Sequence, residues 1–290
     1  MAQPAQSIRH RDQASRLRVL ARRRVTRALR VAVLSGKGGV GKSNLAVNLS
    51  ICLAARGLRV TLVDVDMGLA NADLLLDVQP RYTLAHLVSG ARSVEQVILR
   101  GPGGIGFIAG SSGACDLANL SEFERQHLLA QLRRLDGTTE IVVSDCGAGI
   151  SKNVMSFALD ADELIVVTTP QPPALADAYA TIKSLHRERC AGRVALFVNM
   201  APSRAAAAAA YDRVAGVAQK FLNYAVADGG YMVHDRNVEL AVQARCPFVI
   251  RYPGSNASAC VAAAAEQIAR RVPSGSSRGG VWQRVAGMFV

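Results

Sequence analysis

At 290 residues and 50% hydrophobic content, the chain can bury one large core with short additions at each end. Its net charge of +12 lies in those ends: residues 1–30 hold nine Arg against Asp12, residues 270–290 hold four Arg and no acid, and 21 basic and 21 acidic side chains balance between them. Cationic ends point to an anionic membrane, nucleic acid or an acidic protein surface, whereas six cysteines without C-x-x-C spacing exclude a small-domain disulfide framework, and no apolar run reaches the roughly 20 residues of a spanning helix.

Within the basic N-terminal segment, residues 12–20 predict a helix. Asp12 can cap it, and Leu17, Leu20 and Ala21 recur at three- and four-residue spacing. Residues 31–34 then read as a buried strand, residues 36–41 as a glycine loop, and Ser43 and Asn44 as the opening of a helix. The run Gly36, Lys37, Gly38, Gly39, Val40, Gly41, Lys42, Ser43 fits the phosphate-binding pattern G-x-x-x-x-G-K-[ST]. Glycines let successive backbone N–H groups face a polyphosphate at a helix N-terminus. Lys42 reaches the β and γ oxygens, and the Ser43 hydroxyl is placed for Mg²⁺.

Residues 59–66 predict a strand that ends in Asp64 and Asp66. Alternation puts both carboxylates on one side of the chain, at the end where ligands of open α/β sheets collect. A carboxylate there can hold Mg²⁺-bound water or accept a proton. Residues 104–113 read as a strand and a glycine-serine turn, and residues 121–135 as a helix with a capping box. Residues 140–145 form a second hydrophobic strand delivering Asp145 towards Mg²⁺-bound water, followed by Gly147, Ala148 and Gly149 as a switch loop.

Further strands are predicted at 163–170 and 193–199, with residues 177–183 on the helix between them and a plain helix signal in the alanines of 205–210. Residues 273–280 read as a flexible linker. In residues 281–290, Val281, Val285, Met288 and Phe289 fall at helical spacing with Trp282 at one margin and Arg284 available to headgroups. The alternation of strand and helix predicts a three-layer α/β fold, a mostly parallel sheet with helices on both faces.

The stretch 37–43, Lys-Gly-Gly-Val-Gly-Lys-Ser, resembles the deviant Walker A motif of the MinD and ParA ATPases. That resemblance implies a P-loop NTPase domain over residues 31–272, ATP/ADP and Mg²⁺ as cofactors, and slow, dimerisation-dependent hydrolysis. It also implies a homodimer in which Lys37 crosses to the partner's nucleotide, much as an arginine finger does. Residues 64–73 resemble the family's A′ motif, which assigns catalysis to Asp66 and the Mg²⁺ shell to Asp64. Residues 145–151 resemble Asp-Thr-x-Ala-Gly-x-Ser, which sets Asp145 beside Ser43 at the metal, with Cys146 in place of the usual threonine. By analogy Asn199 pairs with adenine; its plain alternative is a turn-forming Asn. Met200 replaces a common Arg.

Residues 12–18 resemble the Asp-Gln-Ala-x-x-Leu-Arg activator motif of the FlhG (FleN/YlxH) family, the MinD-like ATPases of flagellar number and placement. The resemblance implies that Asp12, Gln13, Ala14, Leu17 and Arg18 bind the GTPase FlhF, with Gln13 stimulating its hydrolysis. Thr-Thr-Pro at 168–170 followed by Asp-Ala-Tyr at 177–179 is similar to the same branch. Residues 281–290 resemble its membrane-targeting helix, making Val281, Trp282, Val285, Met288 and Phe289 the lipid contacts. Such a protein is cytoplasmic and reversibly bound to the anionic inner face of the bacterial inner membrane, and its further partners are flagellar switch proteins or a flagellar transcription regulator. Two other readings stand beside this one. A positioning or partitioning ATPase of cell division or DNA would set the cationic ends on phosphates. An electron-transfer relative of the nitrogenase iron protein would use Cys115 and Cys146, whose surroundings do not match its cysteine motifs.

Overall fold

The computed structural model describes residues 27–66, 70–110 and 120–273. The activator residues Asp12, Gln13, Ala14, Leu17 and Arg18, residues 67–69 of the A′ stretch, the turn at 111–113 and the C-terminal Val281, Trp282, Val285, Met288 and Phe289 lie outside them.

Strand β1, Leu29–Ser35, is buried at all seven positions, as a central strand covered on both faces must be. It begins two residues before the domain boundary read at residue 31. Parallel neighbours flank it: β5, Ile141–Ala148, on one side and β6, Glu163–Thr168, on the other. With β2 (Val60–Val65), β3 (Leu99–Arg100), β4 (Gly106–Ile108), β7 (Arg193–Ala201) and β8 (Ala227–Val233), they form an eight-stranded sheet in the order β3-β4-β2-β5-β1-β6-β7-β8. Every pairing is parallel except β3 with β4.

Alternate residues of β1 enter separate cores. Val31 and Val33 pack with Leu45 and Leu49 of α1 (Lys42–Ala54) and with Val261 and Ile268 of a C-terminal helix, Asn256–Ala269. Ala32 and Leu34 belong to the opposite layer, which includes Leu128, Phe157, Ile182 and Val214 from the helices Glu122–Arg133, Lys152–Asp160, Pro172–Arg187 and Arg204–Leu222. The result is helix, sheet, helix. Burying one such Leu, Ile or Phe stabilises the fold by about 1.5–3 kcal/mol, so a polar substitution at Leu34 or Leu49 would break the layer it enters.

Two strands differ from the sequence reading. The segment at 104–113 contributes only Gly106–Ile108 to the sheet, because Gly103 and Gly104 adopt left-handed backbone just before it. Strand β8 is not signalled by alternation: it carries Gly229 and Gly230 and is half-buried at the sheet edge. Its place is enforced by β7, where a Cβ at Gly229 would lie 2.9 Å from the Leu196 carbonyl oxygen.

The N-terminal end of the sheet is pinned by acids. Asp136 accepts from the Ala28 N–H and from Arg30, Asp160 pairs with Arg30 at 3.0 Å, and Asp162 accepts the Arg30 N–H and the Arg27 guanidinium, each at 2.9 Å. Among the described residues no helix is long and apolar enough to cross a membrane.

Candidate nucleotide-binding site

The chain turns from β1 into α1 through residues 36–41, at the C-terminal edge of the sheet. Gly39 and Gly41 have φ of 79° and 84°, values only glycine adopts without strain. A Cβ at Gly38 or Gly39 would meet nothing within 4 Å, so the outer side of the loop is open. Its inner side is tight. A Cβ at Gly36 would sit 2.4 Å from the Asp177 carbonyl oxygen, and one at Gly41 would sit 2.2 Å from Asn199 Nδ2.

Helix α1 starts without a side-chain cap and without an acid in its first turn. Its first N–H groups, beginning at Lys42, Ser43 and Asn44, therefore offer the dipole's positive end to an anion. Lys37 stands half-buried at the lip, its carbonyl accepting the Ser35 hydroxyl at 3.0 Å.

Lys42 is buried and turns under the loop, its Nζ 2.7 Å from Asp145 Oδ1, 3.7 Å from Asp66 Oδ2 and 3.4 Å from Ser43 Oγ. Burial alone would lower its pKa, but the carboxylates of Asp145 and Asp66 prevail and raise it, so the ammonium stays charged. Asp145 is 1% exposed; burial pushes its pKa up, opposed by Lys42 and the Ser43 hydroxyl. One of its oxygens, Oδ2, is buried without a hydrogen-bond partner. A water of a bound cation would satisfy that orphan acceptor, so the site fits Mg²⁺. Among the described residues no cluster of three His, Cys, Asp or Glu could hold a metal by itself, which is the usual case for Mg²⁺ held through one or two carboxylates and substrate phosphates.

Asp64 lies beside Asp145 in register across β2 and β5, but it faces the backbone. Its Oδ1 accepts the Asp66 N–H and its Oδ2 the Ala72 N–H, each at 3.1 Å. Burial, followed by the neighbouring charge of Asp145, lifts its pKa to about 7. In the structure Asp64 holds the turn that carries Asp66. Asp66 itself stands past the end of β2, with Oδ1 near Gly147, where a Cβ would come within 3.3 Å; of the switch loop read at 147–149, Gly147 and Ala148 belong to β5. The Gly149 N–H donates to the Ser35 carbonyl at 2.8 Å, joining the end of β5 to the end of β1.

Asn199 braces the loop. It is 1% exposed; its Nδ2 donates to the Val40 carbonyl and its Oδ1 accepts the Met200 N–H, both at 2.8 Å. Both ends of the amide serve the protein, bracing the loop. Cys146 points the other way from Asp145, into the second core, where it packs and burial raises its thiol pKa. Sequence reasoning missed the backing of Gly36 by Asp177 and the buried hydroxyl of Thr169, which has no partner at the end of β6. The only signal was the Thr-Thr-Pro and Asp-Ala-Tyr pair, which carries no geometry.

An open glycine loop on a helix N-terminus, a buried lysine between two carboxylates and a parallel sheet behind them define a P-loop nucleotide-binding protein. Residues 31–225 match the CobQ/CobB/MinD/ParA nucleotide-binding domain (CbiA). The chain belongs to that family. It is a P-loop ATPase of MinD/ParA type, whose site takes adenine nucleotide with Mg²⁺.

It is similar to the antiactivator FleN of Pseudomonas aeruginosa, 36% identical over 238 residues, covering 82% of this chain and 85% of FleN. The flagellum site-determining protein YlxH of Helicobacter pylori is 33% identical over 189 residues, 65% of this chain and 64% of YlxH. Among solved structures, the MinD of Pyrococcus horikoshii complexed with Mg-ADP superposes with a TM-score of 0.71 at 22% identity, over 83% of this chain and 96% of that one. The cell division ATPase MinD of Pyrococcus furiosus gives 0.69 at 23% identity, over 84% and 99%.

Proposed function

We propose that this positioning ATPase is a membrane-associated switch of flagellar number and placement, which dimerises on ATP and stimulates the GTPase FlhF through its N-terminal segment. The observation that carries the ATPase cycle is the position of Lys42, 2.7 Å from Asp145 and 3.7 Å from Asp66. It links the group that reaches phosphate to the carboxylate proposed to act on water. The flagellar assignment is supported by identity with FleN across most of the chain and by the residue 12–18 motif.

In this reading the N–H groups of residues 38–44 bind the phosphates and Lys42 neutralises them. Ser43 and Asp145 hold Mg²⁺, which when bound offsets charge on the transferred phosphoryl group. Asp66 orients the attacking water and accepts its proton. Asp64 keeps the Asp66 turn in place, and Asn199 keeps the loop in shape beside the base. Lys37 of one copy reaches the nucleotide of the other, so hydrolysis awaits dimerisation. Residues 281–290 anchor the dimer to the inner leaflet of the cytoplasmic membrane, two weak anchors giving avidity.

Light scattering with Mg-ATP tests the cycle. Asp66→Ala is expected to bind nucleotide and accumulate as a dimer; a nucleotide-bound monomer would overturn the assignment.

A further inference from the structure

Three neighbouring strands each end in a polar side chain on the face that the phosphate loop covers. Ser35 closes β1, is buried, and donates its hydroxyl to the Lys37 carbonyl at 3.0 Å. Asn199, near the end of β7, is buried and donates to the Val40 carbonyl at 2.8 Å. Thr169 follows β6, the strand between them, and its hydroxyl oxygen is buried without a hydrogen-bond partner among the described residues. The outer two brace the loop; the middle one is idle.

The direction of Thr169 follows from the pleat. Ile165 and Val167 pack in the layer of α1, Leu164 and Val166 in the opposite one, and Thr168 donates on that opposite side to the Ala174 carbonyl at 2.9 Å. Pro170 keeps the residue before it extended, so alternation carries the Thr169 side chain to the α1 side. Thr168 is in register with Val198, which sets Thr169 level with Asn199. Val167 is in register with Ser35, which sets Thr169 level with Lys37, where the loop begins. A buried hydroxyl with no partner is destabilising, and valine would fill the same space without that cost.

We infer that Thr169 is a positioning residue for nucleotide, its hydroxyl donating to the carbonyl of Gly38 or Gly39 when the loop closes on a polyphosphate. Ser35 and Asn199 fix the loop at Lys37 and Val40, and Gly38 and Gly39 between them have open space where a Cβ would stand. In a trans peptide the N–H and the C=O point opposite ways, so turning the N–H groups of Gly39 and Val40 to phosphate turns the carbonyls of Gly38 and Gly39 away from it, towards the sheet. The third brace forms only in the loaded state. This rests on the nucleotide-binding reading of the loop given above.

The test uses the full chain, with Mg-ADP as the probe in titration calorimetry and thermal unfolding of the nucleotide-free protein beside it. Thr169→Val keeps the shape and is expected to bind Mg-ADP about fivefold more weakly, the worth of one net hydrogen bond, while melting no lower than wild type without nucleotide. Thr169→Ser restores the hydroxyl and should bring affinity back to within about twofold of wild type. Equal affinity of Thr169→Val and wild type overturns the inference, and so does an equal loss in both variants, which traces the effect to packing. A lower melting temperature for nucleotide-free Thr169→Val overturns it too, because the hydroxyl would then have a partner before nucleotide arrives. Failure of the wild type itself to bind Mg-ADP overturns the nucleotide reading together with the inference.

Discussion

The side-chain amide of Asn199 donates to the Val40 carbonyl over 2.8 Å, so the end of β7 supports the phosphate loop from behind. Gly41 leaves room for that contact, with φ of 84° and its would-be Cβ 2.2 Å from Asn199 Nδ2. Gly41→Ala is therefore expected to keep the fold and weaken nucleotide binding at least tenfold, measured by titration calorimetry with Mg-ADP. Asn199→Ala removes the brace without a clash and should weaken binding less. Equal affinity in all three proteins would show that the brace does not shape the loop.

Lys42 and Asp145 form a buried pair, and removing one partner of such a pair costs about 3–5 kcal/mol. Lys42→Met should lose stability on this scale as well as turnover. With the lysine gone, only the Ser43 hydroxyl opposes the burial that raises the Asp145 pKa. Its folded value then lies above the unfolded value near 4, so the stability of the variant is fully present below that pH and is lost as pH rises through the folded value. The double variant Lys42→Met with Asp145→Asn should recover most of the loss at neutral pH. Urea unfolding across pH 5 to 8 reads both effects, and a flat profile for Lys42→Met would contradict them.

For Asp64, whose pKa rises from 3.8 to about 7, the native state holds a proton the unfolded chain releases. Its contribution to stability is complete below about pH 4 and declines as pH rises to 7. Asp64→Asn should flatten this slope. It should also cost about 1–3 kcal/mol, because the amide nitrogen cannot accept the N–H of either Asp66 or Ala72. Denaturation midpoints at pH 5, 6 and 7 provide the comparison; an unchanged slope would assign the titration elsewhere.

Gln13→Ala is expected to leave ATP turnover intact while abolishing stimulation of FlhF GTP hydrolysis by the full chain. Loss of both activities together would argue against an activator segment separate from the ATPase domain.

The strand, loop and helix around Lys42 were legible because glycine spacing, apolar runs and strand-end acids are local patterns. The Ser121 capping box was equally readable, and the structure shows the Ser121 N–H donating to Glu124 over 2.8 Å. What could not be read is set by distant packing. Asp64 looks like Asp66 in sequence, and only the chain's return at Ala72 commits its second oxygen. Asn199 ends a strand in a way that suits a ligand or a turn, and only the juxtaposition of β7 with Val40 decides its partner. Cys146 alternates with Asp145 along β5, so one faces the core when the other faces Lys42. The departure from threonine at Cys146 had no visible face until the strand was placed.

One property of the sheet bears on how the protein is made. Strand β1 is an early stretch, apolar but for Arg30 and Ser35, yet its hydrogen-bonding neighbours begin only at Ile141 and Glu163. At about 5–20 residues per second, a ribosome needs roughly 5 to 20 s after finishing β1 to reach the first of them. Throughout that interval the nascent chain exposes an unmatched hydrophobic ribbon. The ATP pocket therefore assembles late in translation, and chaperone depletion should harm the yield of this protein before it affects the activity of molecules already folded.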